Sequence, residues 1–290
     1  MNAERYLYTG SDKDPDLRTL PTDSKKDEVS KKEIIAAFEE NVARIQELQD
    51  RFHADAREGI VFVIQALDAA GKDSLIKHVF SRMNHQGVRI ENFKAPSAEE
   101  LAHDYLWRIH KVMPRRGDIV VLNRCHYEDV VTVDVNDIWQ KYHMPERTLN
   151  DSREDFFRKR YRQIRDYEEY LYENGYRVVK IFLNVSKDTQ KDRFLERIER
   201  PEKNWKFNAG DLDDRAKFDA FLDRFSTVIR QTATDHSPWY ALPADQKWYT
   251  RYLLSEIMID TFEKCKSRYP EMTDEQKAEM ERCKESLLNE

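Results

Sequence analysis

Hydrophobic and polar positions alternate along the chain in two rhythms. Four runs are rich in β-branched and large apolar residues: IVFVIQAL (60–67), VRIENF (88–93), DIVVL (118–122) and YRVVKIFLNV (176–185). Each follows a glycine (Gly59, Gly87, Gly117 or Gly175), as expected where a helix ends in a left-handed turn and a strand begins. Near-continuous apolar strands of this kind predict a sheet buried on both faces, hence a parallel one. Between them, residues 31–56, 73–84, 97–112 and 152–174 repeat apolar positions at helical spacing. Ser30-Lys-Lys-Glu33 and Ser97-Ala-Glu-Glu100 carry the residues of capping boxes, which satisfy the free N–H groups of a first turn. A fifth short strand is expected at PWYAL (238–242), a helix over 245–269 and an accessory helix from Thr273 to the end. Strands alternating with helices predict a doubly wound α/β fold. Residues 1–30 form an irregular N-terminal segment, and no repeat or low-complexity linker divides the rest, so one domain is expected.

Composition narrows the function. The chain has 290 residues, 36% of them charged, with a formal net charge of −6. That balance argues against general adhesion to nucleic acid or anionic membrane. A polyanionic substrate would need basic residues gathered locally. Cys125, Cys265 and Cys283 have no metal-ligand spacing and suit no disulfide framework. No apolar run approaches the roughly 20 residues of a membrane span, and the first residues lack a leader pattern. A cytoplasmic location is expected.

The stretch VFVIQALDAAGKDS (61–74) places Gly71-Lys72 in the order strand, loop, helix. Ligands of open α/β sheets bind beyond the carboxyl ends of strands. A helix N-terminus there offers free N–H groups and partial positive charge to phosphate. The spacing approaches the phosphate-binding G-x-x-x-x-G-K-[ST] loop, but Ala66 replaces the first glycine and Asp73 the magnesium-touching hydroxyl. Two readings follow. Ala69-Ala70-Gly71-Lys72-Asp73 is either a phosphate loop with Lys72 as its added charge, or an ordinary tight βα connection. On the first reading Asp68 supplies the hard oxygen that the missing hydroxyl does not, and Asp73 assists it or caps the helix.

The third strand leads into NRCHYEDV (123–130). Asp118 lies at its amino end, the wrong end for a phosphate. Arg124 stands at the right end to hold a phosphate oxygen, and Asn123, Glu128 or Asp129 to serve a metal or its waters. A solvated turn is the other reading of Glu128-Asp129. Lys94 follows the second strand at the same edge, and Lys77 and Arg82 fall on the helix after the loop, where an anion path would run. Trp107 and Arg108 read as packing, and Arg115-Arg116 as structural. The segment 192–215 gathers Arg193, Arg197, Arg200, Lys203 and Lys206 around Pro201. It suits a mobile lid closing over phosphates, or a solvated helix pair, since acidic residues are interleaved. The aromatics of 235–253 read as core before nucleobase stacking.

Taken together, ALDAAGKDS, LNRCHYEDV, ELAHDYLWRIH, PEKNWKF and HSPWYALPADQKWY, in this order over residues 31–262, resemble the polyphosphate kinase 2 family. The altered loop, with Asp inside it and no Ser or Thr after Lys, is itself part of that pattern. The resemblance implies a P-loop kinase-like fold similar to thymidylate kinase, with a parallel five-stranded sheet flanked by helices and a helical lid at 192–215. It implies reversible transfer of the terminal phosphate of inorganic polyphosphate to a nucleotide. Arg124-Cys-His-Tyr-Glu-Asp129 resembles the subgroup that phosphorylates both AMP and ADP, with Cys125 where Ser is usual and Asn123 where some relatives have Asp. The resemblance makes Asp68 a magnesium ligand, Lys72 and Arg124 phosphate clamps and Asp129 a second acidic residue of the site. Arg193, Lys203 and Lys206 match its basic lid.

The implied reaction needs no strong general base, because the acceptor is an already ionised phosphate oxygen; positioning and electrostatics carry it. Mg2+ is the expected cofactor, with polyphosphate and AMP, ADP and ATP as partners, no nucleic acid, and a homo-oligomer. The rival readings are an ATP-dependent nucleotide kinase and a non-catalytic module that binds polyphosphate or RNA.

Overall fold

A computed structural model describes residues 2–10, 15–25 and 29–290. Its strands are β1 (Leu7–Tyr8), β2 (Gly59–Ala66), β3 (Val88–Asn92), β4 (Ile119–Asn123), β5 (Tyr176–Asn184) and β6 (Trp239–Pro243). They form one sheet in the order β1-β6-β5-β2-β4-β3. From β3 to β6 every pairing is parallel, while β1 runs antiparallel to β6. The helices are α1 (Lys31–Asp55), α2 (Lys72–Val79), α3 (Ala98–Leu101), α4 (Trp107–His110), α5 (Thr132–Val135), α6 (Glu146–Leu149), α7 (Arg153–Glu173), α8 (Lys187–Glu199), α9 (Gly210–Ala216), α10 (Phe218–Thr232), α11 (Lys247–Cys265) and α12 (Asp274–Leu288).

Helices cover both faces of the sheet, which explains why β2 is buried along its whole length. Ile60, Phe62 and Ile64 pack with Phe38 and Val42 of α1, Ile76 of α2 and Leu253 of α11. Val61 and Val63 point the other way, toward Phe156 and Ile164 of α7 and Phe225 of α10. Each such side chain contributes roughly 1.5–3 kcal/mol by leaving water.

The five expected strands are present. Three details differ from the sequence reading. The N-terminal segment is not wholly irregular: Leu7 and Tyr8 pair with Tyr240 and Trp239, and Ala3, Tyr6, Tyr8 and Leu17 are buried. A two-residue strand has no periodicity to read, and residues 1, 11–14 and 26–28 of that segment lie outside the described ones. The helix expected over 97–112 is two four-residue turns, α3 and α4. Asp104 divides them, its carboxylate accepting from the Leu106 N–H at 3.0 Å and its carbonyl from Trp107 N–H at 3.1 Å, a local turn that competes with the helix. The Ser97 capping box forms, whereas Ser30 makes no side-chain cap.

Gly117 enters β4 with φ +87°, and a Cβ there would lie 3.0 Å from the His53 carbonyl. Gly117→Ala is therefore expected to cost about 1–2 kcal/mol in urea unfolding, through left-handed strain and crowding. An unchanged midpoint would show that the turn relaxes freely.

Candidate active site

The loop between β2 and α2 lies at the carboxyl edge of the sheet. Ala69 has φ 60° and Gly71 φ 110°, so the backbone turns twice through the left-handed region before α2 begins at Lys72. Lys72 is only 8% exposed, and its Nζ donates to the Ala66 carbonyl at 2.9 Å. Burial pushes its pKa down, opposed chiefly by the negative charge of Asp68. From α8, Arg193 donates to the carbonyls of Ala69 (3.1 Å), Ala70 (2.6 Å), Ala244 (2.8 Å) and Asp245 (3.1 Å), and Gln190 donates to that of Asp68 (2.9 Å). The loop is clamped from behind by these side chains.

Arg124 follows β4 with φ 63°, a strained value for a non-glycine residue. Its backbone N–H donates to Ile64 O at 3.2 Å, and its Nη2 reaches Asp68 Oδ1 at 2.6 Å. Glu128 is held by Thr132 Oγ1 at 2.5 Å. Gln65, in the amide orientation that satisfies both its ends, also donates to it at 3.0 Å. Burial opposes the Arg124 charge, but Glu128 and Asp68 outweigh it and raise its pKa. Asp68, Arg124, Glu128, Gln190, Asp211 and Asp214 line one cleft, with Phe221 and Phe225 among its apolar walls. The carboxyls of Asp211 and Asp214 are raised by burial and by the Asp68 charge.

Asp73 is not the helix cap; Gly71 occupies that position. Asp73 instead accepts from Lys206 Nζ at 3.0 Å and Asn123 Nδ2 at 3.2 Å, tying the 201–206 turn to the loop. Burial works against its charge, but Lys206 outweighs it and lowers the pKa. Asn123 also donates to Asn92 Oδ1 at 2.8 Å, while its own Oδ1 is buried without a partner. Lys203 pairs with Glu196.

The remaining candidates point elsewhere. Lys77 is exposed on α2. Arg82 pairs with Glu39 of α1 at 2.6 Å. Lys94 borders a separate cavity beside Trp107, Arg108 and Lys111. Asp129 accepts from the Tyr142 hydroxyl at 2.6 Å, and its pKa is raised by burial although Arg160 and Arg108 oppose this. It does not line the Asp68 cleft, whereas Glu128 does.

Among the described residues no three His, Cys, Asp or Glu side chains converge as a metal cage. The carboxylates of Asp68 and Glu128 in the cleft suit a hard ion that takes one or two carboxylates from the protein and the rest from phosphates and water. Asn123 Oδ1, buried without a partner, is a neutral oxygen of the kind such an ion accepts.

A family model described as Polyphosphate kinase 2 matches residues 28–270. The chain belongs to the polyphosphate kinase 2 family. Within that family it is 41% identical to the ADP-polyphosphate phosphotransferase of Rhodopseudomonas palustris, over 98% of each chain. It is 39% identical to the AMP/ADP-polyphosphate phosphotransferase of Meiothermus ruber, over 87% of this chain and 89% of that one. The crystal structure of polyphosphate kinase 2 from Arthrobacter aurescens superposes with a TM-score of 0.84 at 33% identity, covering 98% of this chain and 97% of the other. The fold is thus that of a polyphosphate kinase 2.

Sequence reasoning passed over several residues at this site. Asp211 and Asp214 lay inside the quoted lid segment, where they read only as interleaved acids. Lys247 and Arg251 were hidden in an aromatic stretch. The pKa of Lys247 is lowered by burial and by the nearby cations Arg193, Lys203 and Arg251, and Arg251 reaches Ser74 Oγ at 3.3 Å. Their signal is positional: both fall in the first turns of the helix after β6, at the sheet's carboxyl edge.

Proposed function

We infer that this protein moves the terminal phosphate of inorganic polyphosphate to AMP and ADP, making ADP and ATP. The observation that carries the reading is the convergence of Lys72, Arg124 and Asp68 on a phosphate loop that lacks the usual hydroxyl. The names of its relatives support the same donor, and the Meiothermus name both acceptors.

The chain's own groups account for the chemistry. Loop N–H groups at the start of α2, with Lys72, take the phosphate oxygens among which charge shifts during transfer. Arg124 leaves or shares its ion pair with Asp68 to clamp a second phosphate. Lys203, Lys206 and Lys247, with Arg251, neutralise the polyanion beside the loop, while Arg193 keeps the loop in shape. Asp68 would be the main metal ligand, with Glu128 of the same cleft and Asn123 Oδ1, next to Asp73, as further oxygens; Asp129 would join only if its turn rearranged. A divalent ion held there, which we take as Mg2+, would supply neutralisation of phosphate charge. No side chain needs to remove a proton, so in-line positioning and fixed charge lower the barrier. The sheet, the 192–215 lid and the 273–290 helix work as one unit, in the cytoplasm and without nucleic acid. Among the described residues no helix is long and apolar enough to cross a membrane.

Phosphorus NMR of the purified protein with long-chain polyphosphate, magnesium and AMP tests the acceptors. ADP signals should rise first and ATP signals follow, both stopping on chelation of the metal. ADP accumulating without ATP would restrict the acceptor to AMP. Transfer to ADP alone would remove AMP.

A further inference from the structure

β2 is buried along its whole length, yet it carries one polar side chain, that of Gln65, which is 0% exposed. An amide withdrawn from water needs partners at both its ends. Gln65 finds them across the sheet, where β4 ends. β4 stays in register with β2 as far as Ile64 and Asn123 and then departs. The Arg124 N–H still donates to the Ile64 carbonyl at 3.2 Å. The next N–H, of Cys125, donates to the side-chain oxygen of Gln65 at 3.2 Å, and the Gln65 amide nitrogen donates to Glu128 Oε1 at 3.0 Å.

These bonds bracket a strained residue. Arg124 has φ 63°, while Cys125 is extended at φ −171°. A non-glycine residue keeps a left-handed conformation where its surroundings over-determine it. Here the two peptides flanking the Arg124 Cα are tied to consecutive residues of one buried strand, first through main chain and then through the Gln65 side chain. The far end of that side chain also fixes Glu128, whose Oε2 accepts from Thr132 Oγ1 at 2.5 Å. Both oxygens of the carboxylate are thus held by neutral donors, and the carboxylate lines the cleft with Arg124. Burial opposes the Arg124 charge, and Glu128 is the first of the carboxylates that sustain it. Gln65 itself does not line the cleft. The position calls for an acceptor and a donor on one side chain of this length. A Glu would set a second carboxylate against Glu128, Met or Leu offers neither group, and Asn is one methylene short.

We propose that Gln65 is the positioning residue of the phosphate clamp, setting the Arg124 turn and aiming the carboxylate that supports the Arg124 charge. The proposal deepens the reading in which Arg124 holds a phosphate, and rests on it.

Gln65→Met fills the same space and removes both hydrogen bonds. Its kcat/KM for ATP formation from polyphosphate and ADP should fall roughly ten- to a hundredfold, as for a reacting contact displaced by an ångström. The rates are taken well below the circular-dichroism melt of each variant. A loss of folded protein would scale every background alike, so the deciding measurement is a double-mutant cycle with Arg124→Ala. If Gln65 acts through Arg124, Gln65→Met should cost about threefold or less once Arg124 is gone. Gln65→Asn, which reaches only one of the two partners, takes its place in the cycle if the Met variant does not fold. Losses that simply multiply overturn the proposal, as does Gln65→Met within about threefold of wild type when Arg124 is present. If the wild type makes no ATP from polyphosphate, the donor reading fails, and the same cycle run with ATP as donor and AMP as acceptor still decides whether Gln65 acts through Arg124.

Discussion

Replacing Lys72 with Met is expected to lower kcat/KM for polyphosphate-dependent transfer roughly a hundred- to a thousandfold, about 3–4 kcal/mol of lost transition-state stabilisation. The size follows from position. Lys72 is 8% exposed, so its charge acts with little screening by water. Its Nζ rests on the Ala66 carbonyl at 2.9 Å, at the first turn of α2, where backbone N–H groups lack partners within the helix. Met preserves most of the buried stem, and Asp68 keeps Arg124 as its partner, so the loop should survive the change. The loss should fall mainly on kcat, because the fixed charge acts on charge that redistributes between the transferring group and the leaving oxygen at the transition state. Steady-state kinetics beside a thermal melt separates this from unfolding. A variant within fivefold of wild type would remove Lys72 from the chemistry.

Glu168→Gln should cost about 3–5 kcal/mol of stability, because it strands a buried charge. Glu168 is 1% exposed and Lys180 fully buried, with Nζ 2.5 Å from the carboxylate. Tyr127 and Ser237 donate to the same carboxylate at 2.7 and 2.8 Å, and His126 Nε2 lies 3.8 Å away. His126 and Tyr127 of this network follow Arg124 in sequence, so it ties the sheet's core to that turn.

Its pH dependence has a definite sign. Burial works against the Glu168 carboxylate, but Lys180 and His126 outweigh it and bring its pKa from 4.5 to about 2. That contribution is present above about pH 4.5 and is lost as pH falls toward 2. Burial also opposes the His126 cation, but Cys125 and Glu168 outweigh it and raise its pKa from 6.5 to about 9. Its contribution is present below about pH 6.5 and is lost as pH rises through 9. Wild-type melting temperature should therefore peak between these limits and fall on both sides. In Glu168→Gln the acid-side fall should flatten. An equally steep fall would place the acid sensitivity elsewhere.

The parallel strands were legible because a strand covered on both faces must be apolar at nearly every position, and β2 is. The edge strand Leu7–Tyr8 was not, since two residues carry no period and only the free edge of β6 defines them. At the site, the loop and Arg124 could be placed from the rule that ligands sit beyond strand ends. Direction within a turn was harder to read. Glu128 and Asp129 are adjacent in sequence, yet one faces the Asp68 cleft and the other turns to Tyr142. A 3-10 turn sends neighbours to different sides, and nothing in composition says which. Arg193 had the charge of a phosphate ligand, but four carbonyls occupy its guanidinium. Lys247 became visible only when α11 was seen to begin at the same edge.

The most direct test of the central claim is the donor. Purified protein is given ADP and polyphosphate, with magnesium and no other phosphate source, and ATP is followed by luciferase light, for wild type and for Asp68→Asn. Sustained ATP formation by wild type, many turnovers per enzyme and lost by a hundredfold or more in Asp68→Asn, is the predicted result. No ATP from polyphosphate, with phosphate transfer to AMP when ATP is supplied instead, would contradict it and make the protein an ATP-dependent nucleotide kinase.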